Sequence, residues 1–240
     1  MARTAQGGTD ARRERWKGHR EARRAEFVEA TIRAVAAHGP EVGMDEIAAA
    51  AGVSKPVLYR HFTDKSDLYL AVGQRGTELL MDRMVPALTR DGPIRARIRG
   101  IVDAYLAAVE ENPNLYRFVV RRTSADRPVE QDAVREDEQL VTVALARLLG
   151  DGLRGFGLDA GGAEPWAHAL VGLVQNAGDW WLDHRSMTRA NLSDYLTTII
   201  WHAVDGLLRS AGVELDPDAP LSADLTGEPA RPRPVNDGEV

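Results

Sequence analysis

The chain contains no cysteine. Disulfide bridges, thiol catalysis and cysteine-ligated zinc are thereby excluded, and a reducing compartment is implied. No apolar run approaches the roughly 18 residues of a membrane span, and the N-terminus has no apolar segment of the export type. The reading is a cytoplasmic protein with no membrane partner. Alternating strand-type patterns are missing too. Six histidines occur, His19, His38, His61, His168, His184 and His202, but none falls into an HExxH spacing or another ligand set. No glycine-rich phosphate loop follows a strand, and there is no nucleophile elbow. The chain therefore reads as not an enzyme, with no catalytic residues, no metal and no cofactor.

An overall positive charge is also lacking. The net charge over 240 residues is -6, whereas a nucleic-acid-binding domain is expected to be basic. The distribution of charge keeps such a partner open. Arg3, Arg12, Arg13, Arg15, Lys17, Arg20, Arg23 and Arg24 face only Asp10, Glu14 and Glu21 at the N-terminus. The C-terminal stretch reverses the balance, with Glu214, Asp216, Asp218, Asp224, Glu228, Asp237 and Glu239 against Arg231 and Arg233. The two ends have opposite characters, and the total averages over them.

What is present is helical patterning and one distinctive corner, in the stretch Ile47 to Leu68. Ile47 and Ala51 share a helix face, and Ala48, Ala49 and Ala50 are small enough for a second helix to cross closely. Gly52 ends the first helix, since a residue without Cβ enters the left-handed region at no steric cost. Val53 plugs the turn, Ser54 is placed to accept from an amide of the next helix, and Pro56 falls in that helix's first turn. In the second helix Leu58 and Phe62 are four apart and face the core, which turns Pro56, Val57, Tyr59 and Arg60 outward. Ser54 and Lys55 sit at the tip that reaches base edges in a recognition helix, and Tyr59 and His61 flank the face. Asp64 caps a further helix, Asp67 answers three residues on, and Lys65 in the first turn suits a phosphate.

These residues resemble the tetracycline-repressor-like (TetR) transcriptional regulators. The resemblance runs from about Phe27 to Leu68 through Ala51-Gly52-Val53-Ser54, Leu58-Tyr59, His61-Phe62, Lys65 and Leu68. It implies that Lys55, Pro56, Val57 and Tyr59 touch base edges, and that Tyr59, His61 and Lys65 touch phosphates. One departure stands out. Many relatives open the preceding helix with Thr or a basic residue that also reaches DNA, whereas this chain has Gly43-Met44-Asp45-Glu46.

Along the rest of the chain, residues 1–19 read as a disordered basic arm, which is either a solvated tail or, with the arginines from Arg12 to Arg24 and chiefly Arg20, Arg23 and Arg24, a contact to the DNA backbone. Helix is expected from about Glu21 to His38, and again from Lys65 to about Thr89 with an interruption near Pro86. Helical patterns then cover Ile94 to Glu111, Pro113 to Arg122, Val129 to about Leu153, Ala163 to His184 and Thr188 to about Ser210. The division is a helix-turn-helix DNA-binding domain over 20–68, a helical effector-binding and dimerisation domain over 69–211, and a disordered acidic tail over 212–240. The fold class is all-α, with a three-helix head joined to a helical C-terminal domain.

The last two helices are apolar around much of their circumference and need several partners. Trp181, Tyr195, Ile199, Trp201 and Leu208 are the expected dimer interface, and the resemblance implies a four-helix bundle across a two-fold axis. Tyr105, Tyr116, Phe118, Arg122, Gln175, Asn176 and Trp180 mix polar and aromatic groups with apolar neighbours, as ligand pockets do. Each read singly is more often ordinary core or surface. The expectation is a homodimeric repressor that binds a double-stranded operator and is released by a small apolar or amphipathic effector. The alternatives are a DNA-binding structural protein of the same fold without an effector, or a helical enzyme or carrier with a borrowed DNA-binding head.

Overall fold

The computed structural model describes residues 6–88, 90–125 and 133–219, and the side chains of 18–88, 90–120 and 141–219. Among the described residues nine helices follow in order: α1 Gln6–His38, α2 Met44–Ala50, α3 Lys55–Leu58, α4 Lys65–Leu88, α5 Ile94–Glu111, α6 Pro113–Ala125, α7 Ala133–Gly155, α8 Ala163–His184 and α9 Arg189–Ser210. None of them is long and apolar enough to cross a membrane. The described residues fall into two compact units, one of 6–79 with 112–125 and 133–135, the other of 80–88 and 90–111 with 136–219.

In the first unit the core is built from Phe27, Val35, Ile47, Leu58, Phe62, Leu68 and Val72, all essentially inaccessible to solvent. Burying each such side chain contributes on the order of 1.5–3 kcal/mol. Thr31 is the polar exception, and its hydroxyl donates to the Phe27 carbonyl at 2.8 Å, as a buried hydroxyl must. Two features depart from the linear reading. The first helix begins at Gln6 and takes in residues 6–19, which were expected to form a disordered arm. Arg, Glu and Lys lose little rotamer freedom in a helix, so the absence of an apolar stripe there does not mean the absence of helix. The second departure is α6, which joins the head: Leu115 and Phe118 are buried in its core, and Phe118 meets Tyr69 edge-on with centroids 5.0 Å apart.

The second unit is organised on α5, which packs on α9 and on α8. Val102, Tyr105, Leu106 and Val109 supply the buried face of α5. Gly178 lets α8 come close, because a Cβ there would already lie 3.4 Å from the Tyr105 ring. Arg189 pins the start of α9 to α5 through Asp103 and Glu110, both at 2.9 Å. The α4 helix passes through Pro86 instead of breaking there. Only Ala87 and Leu88 follow the proline in α4, and the helical bond it removes is the one to the Asp82 carbonyl. Residues 220–240 lie outside the described residues, and most of the expected acidic tail with them.

Candidate nucleic-acid interface

The corner is a Schellman motif. Val53 N–H donates to the Ala48 carbonyl and Gly52 N–H to the Ala49 carbonyl, both at 3.0 Å, while Gly52 holds φ at +66°. A side chain at 52 would carry left-handed strain, which is why glycine ends α2. Leu58 and Phe62 face inward as their spacing predicts. The recognition element itself is short. After the single α-turn Lys55–Leu58, the bonds Arg60 N–H to Val57 O (3.2 Å) and His61 N–H to Leu58 O (2.9 Å) wind it more tightly as far as Phe62.

Ser54, Pro56, Tyr59, Arg60 and Lys65 are exposed, and Lys55 and Val57 are half-buried. Val57 also packs on the core, so it is outward only in part. Ser54 makes no side-chain capping bond, contrary to the capping role its position suggested. Lys55 is paired with Asp45 of α2 at 2.7 Å, which raises its pKa further. Lys65 lies over the Tyr69 ring, 5.2 Å from its centroid. Asp64 accepts the Asp67 amide at 2.9 Å, and Asp67 reaches back to the Thr63 amide at 2.9 Å, which completes the start of α4.

His61 occupies a different place from the flanking phosphate contact expected of it. Its ring sits edge-on to Phe27 at 5.2 Å, and its Nδ1 is buried. Burial first, then the charges of Arg20, Arg23, Arg24 and Arg60, push its pKa below the ordinary value of 6.5. The partly buried ring thus favours its neutral form and packs against the Phe27 ring.

Arg24 is likewise not a free arm cation. Its guanidinium donates to both carboxylate oxygens of Asp67, at 2.8 and 3.2 Å, and to the His61 carbonyl, and it lies 4.2 Å from the Phe62 ring centroid. One side chain thus ties α1, the end of the recognition element and the first turn of α4 together. This Arg24 contact depresses the Asp67 pKa more than any other. Nothing in the sequence marks the pair, since the partners are 43 residues apart. Both side chains are about 30% exposed, so the ion pair itself is partly screened. Arg24→Gln should still cost about 1–3 kcal/mol, because it leaves Asp67 without its counter-ion, with only the Thr63 amide, and removes the donor to the His61 carbonyl. Calorimetry on the full chain should record a lower melting temperature; an unchanged one would contradict the latch. Of the other arm residues, Arg23 is engaged with Glu26 and the Phe27 ring, and Arg20 is exposed.

The expected ligand residues are divided between the two units. Phe118 belongs to the core of the first unit, to which Tyr116 also belongs. Tyr105, Gln175, Asn176 and Trp180 belong to the second unit. Tyr105 is buried on α5, while Asn176 is exposed and donates to the Gly172 carbonyl of its own helix. Trp180 is exposed and stacks on His184 at 5.1 Å. The Arg122 side chain lies outside the described residues.

Three of the five expected interface residues pack inside the protomer. Trp181 is buried and donates to the Met187 carbonyl at 2.8 Å, and Trp201 and Leu208 are buried on α9. Tyr195 and Ile199 are exposed, at 60% and 54%. Among the described residues no cluster of His, Cys, Asp and Glu could hold a metal ion.

Comparison with known proteins agrees with this architecture. The profile described as "Bacterial regulatory proteins, tetR family" matches residues 27–72, and "Tetracyclin repressor-like, C-terminal domain" matches residues 83–212. An uncharacterised HTH-type transcriptional regulator of Mycobacterium tuberculosis is 40% identical over 205 residues, 85% of this chain and 86% of that protein. The HTH-type transcriptional activator FasR of Mycolicibacterium smegmatis is 36% identical over 142 residues, 59% of this chain and 64% of FasR. The crystal structure of the transcriptional regulator FadR from Bacillus subtilis in complex with stearoyl-CoA shares the fold. Its TM-score is 0.60 at 15% identity, with 73% of this chain and 96% of that one covered. With the corner, the inward Leu58 and Phe62, and both halves of the chain matched, the protein belongs to the TetR family of helix-turn-helix transcriptional regulators.

Proposed function

We propose that this DNA-binding regulator works as a homodimer on a palindromic operator, represses from it, and is released by a small amphipathic effector. The observation that carries the reading is the outward face of the recognition element, where Lys55, Pro56 and exposed Tyr59 stand over a core fixed by Leu58 and Phe62. One such face is too small for tight binding. A two-fold dimer presents it twice, at half-sites about 34–36 Å apart or a multiple of that. Support for the dimer comes from α9, where Tyr195, Ile199, His202, Ala203 and Gly206 are exposed along one face at helical spacing. Exposed Arg20 and Arg60 lie close enough to His61 to act on its charge, and they supply the phosphate contacts in this reading.

For the effector, the support is the amphipathic ligand named for FadR of Bacillus subtilis. Binding it would shift α4, whose first turn belongs to the head and whose last residues belong to the second unit. The spacing of the two recognition faces would then no longer match the duplex. Linkage makes the test symmetric: coupling of about 1–3 kcal/mol weakens operator binding 5- to 150-fold and weakens effector binding by the same factor. Stearoyl-CoA is the first probe, titrated against the protein free and bound to a duplex it has selected from a random pool. Equal affinity in both states would contradict release by an acyl thioester. A second reading, activation instead of repression, is favoured by the name of FasR. A reporter placed behind the selected site decides the sign, with expression expected to rise when the gene for this protein is removed.

A further inference from the structure

The DNA-facing head is not basic. Between residues 20 and 68 it carries seven Arg and Lys side chains against eight Asp and Glu. Three of these cations are also individually answered: Arg23 by Glu26, Arg24 by Asp67 and Lys55 by Asp45. The last pair differs from the others in its position. Lys55 is the first residue of the recognition element and Asp45 lies in the first turn of α2, so the carboxylate stands beside the tip that meets the bases. The contact is 2.7 Å, and the two side chains remain 43% and 78% exposed. Its neighbour Glu46 is spent differently, accepting the Gly43 amide at 3.1 Å.

An ammonium has three donors, and one bond to Asp45 leaves two for an acceptor on a base edge. As a pair, however, Lys55 and Asp45 carry no net charge. A neutral pair displaces no counterion from the phosphate backbone, whereas a free lysine does. We propose that Asp45 is a specificity-determining residue: by holding Lys55 as a neutral pair, it converts the lysine from a sequence-blind phosphate contact into a donor for base edges. The inference rests on the DNA-reading role of the recognition element and adds to it a control on non-operator binding. It also gives a physical purpose to an acidic opening of α2, where a residue that itself touches DNA could stand.

The test measures affinity for the selected operator and for a scrambled duplex of equal length, over a range of salt, with the full-length protein. Asp45→Asn keeps the shape and removes the charge. On the scrambled duplex it should steepen the log-log salt slope by about 0.9 per protomer, about 1.8 per dimer, and tighten binding at 0.1 M salt by about tenfold per protomer engaged. Operator affinity should change less, so the ratio of the two falls. Asp45→Asn combined with Lys55→Met should remove the gain on scrambled DNA, because the freed cation is gone. Glu46→Gln removes an equal charge one residue away and should give a distinctly smaller change in slope. An unchanged slope in Asp45→Asn, a gain that survives Lys55→Met, or an equal effect from Glu46→Gln would each overturn the proposal. If the wild-type protein bound operator and scrambled duplex alike, the reading of the recognition element would fail instead, and the two failures are thereby distinct.

Discussion

Ile199→Glu should convert the protein to a monomer of 26.3 kDa in light scattering or sedimentation, and with that abolish tight operator binding. Ile199 is 54% exposed in the protomer and Tyr195, one turn earlier on α9, is 60% exposed. Apolar side chains of this size are left in water at little benefit to a single chain, and side by side they form a patch that a partner would cover. In an isologous interface each substitution acts twice, so two carboxylates would be buried without partners. The loss on DNA follows from geometry. A dimer that has placed one recognition face delivers the second at high effective concentration, which raises affinity by roughly 10²–10⁴-fold over a single head. A monomer forfeits that factor, although its own fold is intact because the buried face of α9 is untouched. The substitution must therefore leave the helical circular dichroism unchanged. A variant that remains dimeric, or a monomer with undiminished operator affinity, would contradict the proposed assembly.

The contrast between Ile199 and Trp201 shows where sequence reasoning stops. Both lie on a helix that is apolar on more than one side, and periodicity says only that such a helix has several partners. It does not say which partner belongs to the same chain. Trp201 and Leu208 are buried within the protomer, Trp181 is held by the Met187 carbonyl, and Ile199 and Tyr195 are left outside. The corner is legible for the opposite reason. Gly52, Ser54 and Pro56 are local signals of chain direction, and the four-residue spacing of Leu58 and Phe62 fixes which side is in. The helices from Ile94 onward are legible nearly to their ends, because breaks such as Asn112-Pro113 are also local.

Long-range pairings are not legible. The Arg24–Asp67 latch joins residues 43 positions apart, and its arginine reads in sequence as one more cation in a basic run. Nor can periodicity reveal that α6 packs on the head, since Phe118 meets Tyr69 from two helices further along the chain. His61 illustrates the same limit at close range. Its place beside Tyr59 suggests a phosphate contact, but the tightened turn after Leu58 swings the ring onto Phe27.

Tyr59 is the residue on which the proposed DNA reading turns. It closes the short recognition helix, its side chain is 46% exposed, and its backbone is fixed by the bond to the Lys55 carbonyl at 3.2 Å. Its ring does not fill the core, so removing it should leave stability within about 0.5 kcal/mol of wild type, as for surface positions generally. In the proposed complex the ring would bring apolar area and a hydroxyl to the groove, the mix typical of residues that dominate an interface. A loss of about 1.4 kcal/mol at each of two copies weakens the dimer on its operator about 100-fold. The direct measurement is fluorescence anisotropy of the selected duplex titrated with Tyr59→Ala, with the mass of the free protein recorded alongside. The expected result is an intact dimer with operator affinity down by about 100-fold; an intact dimer that binds the operator as the wild type does would contradict the assigned reading face.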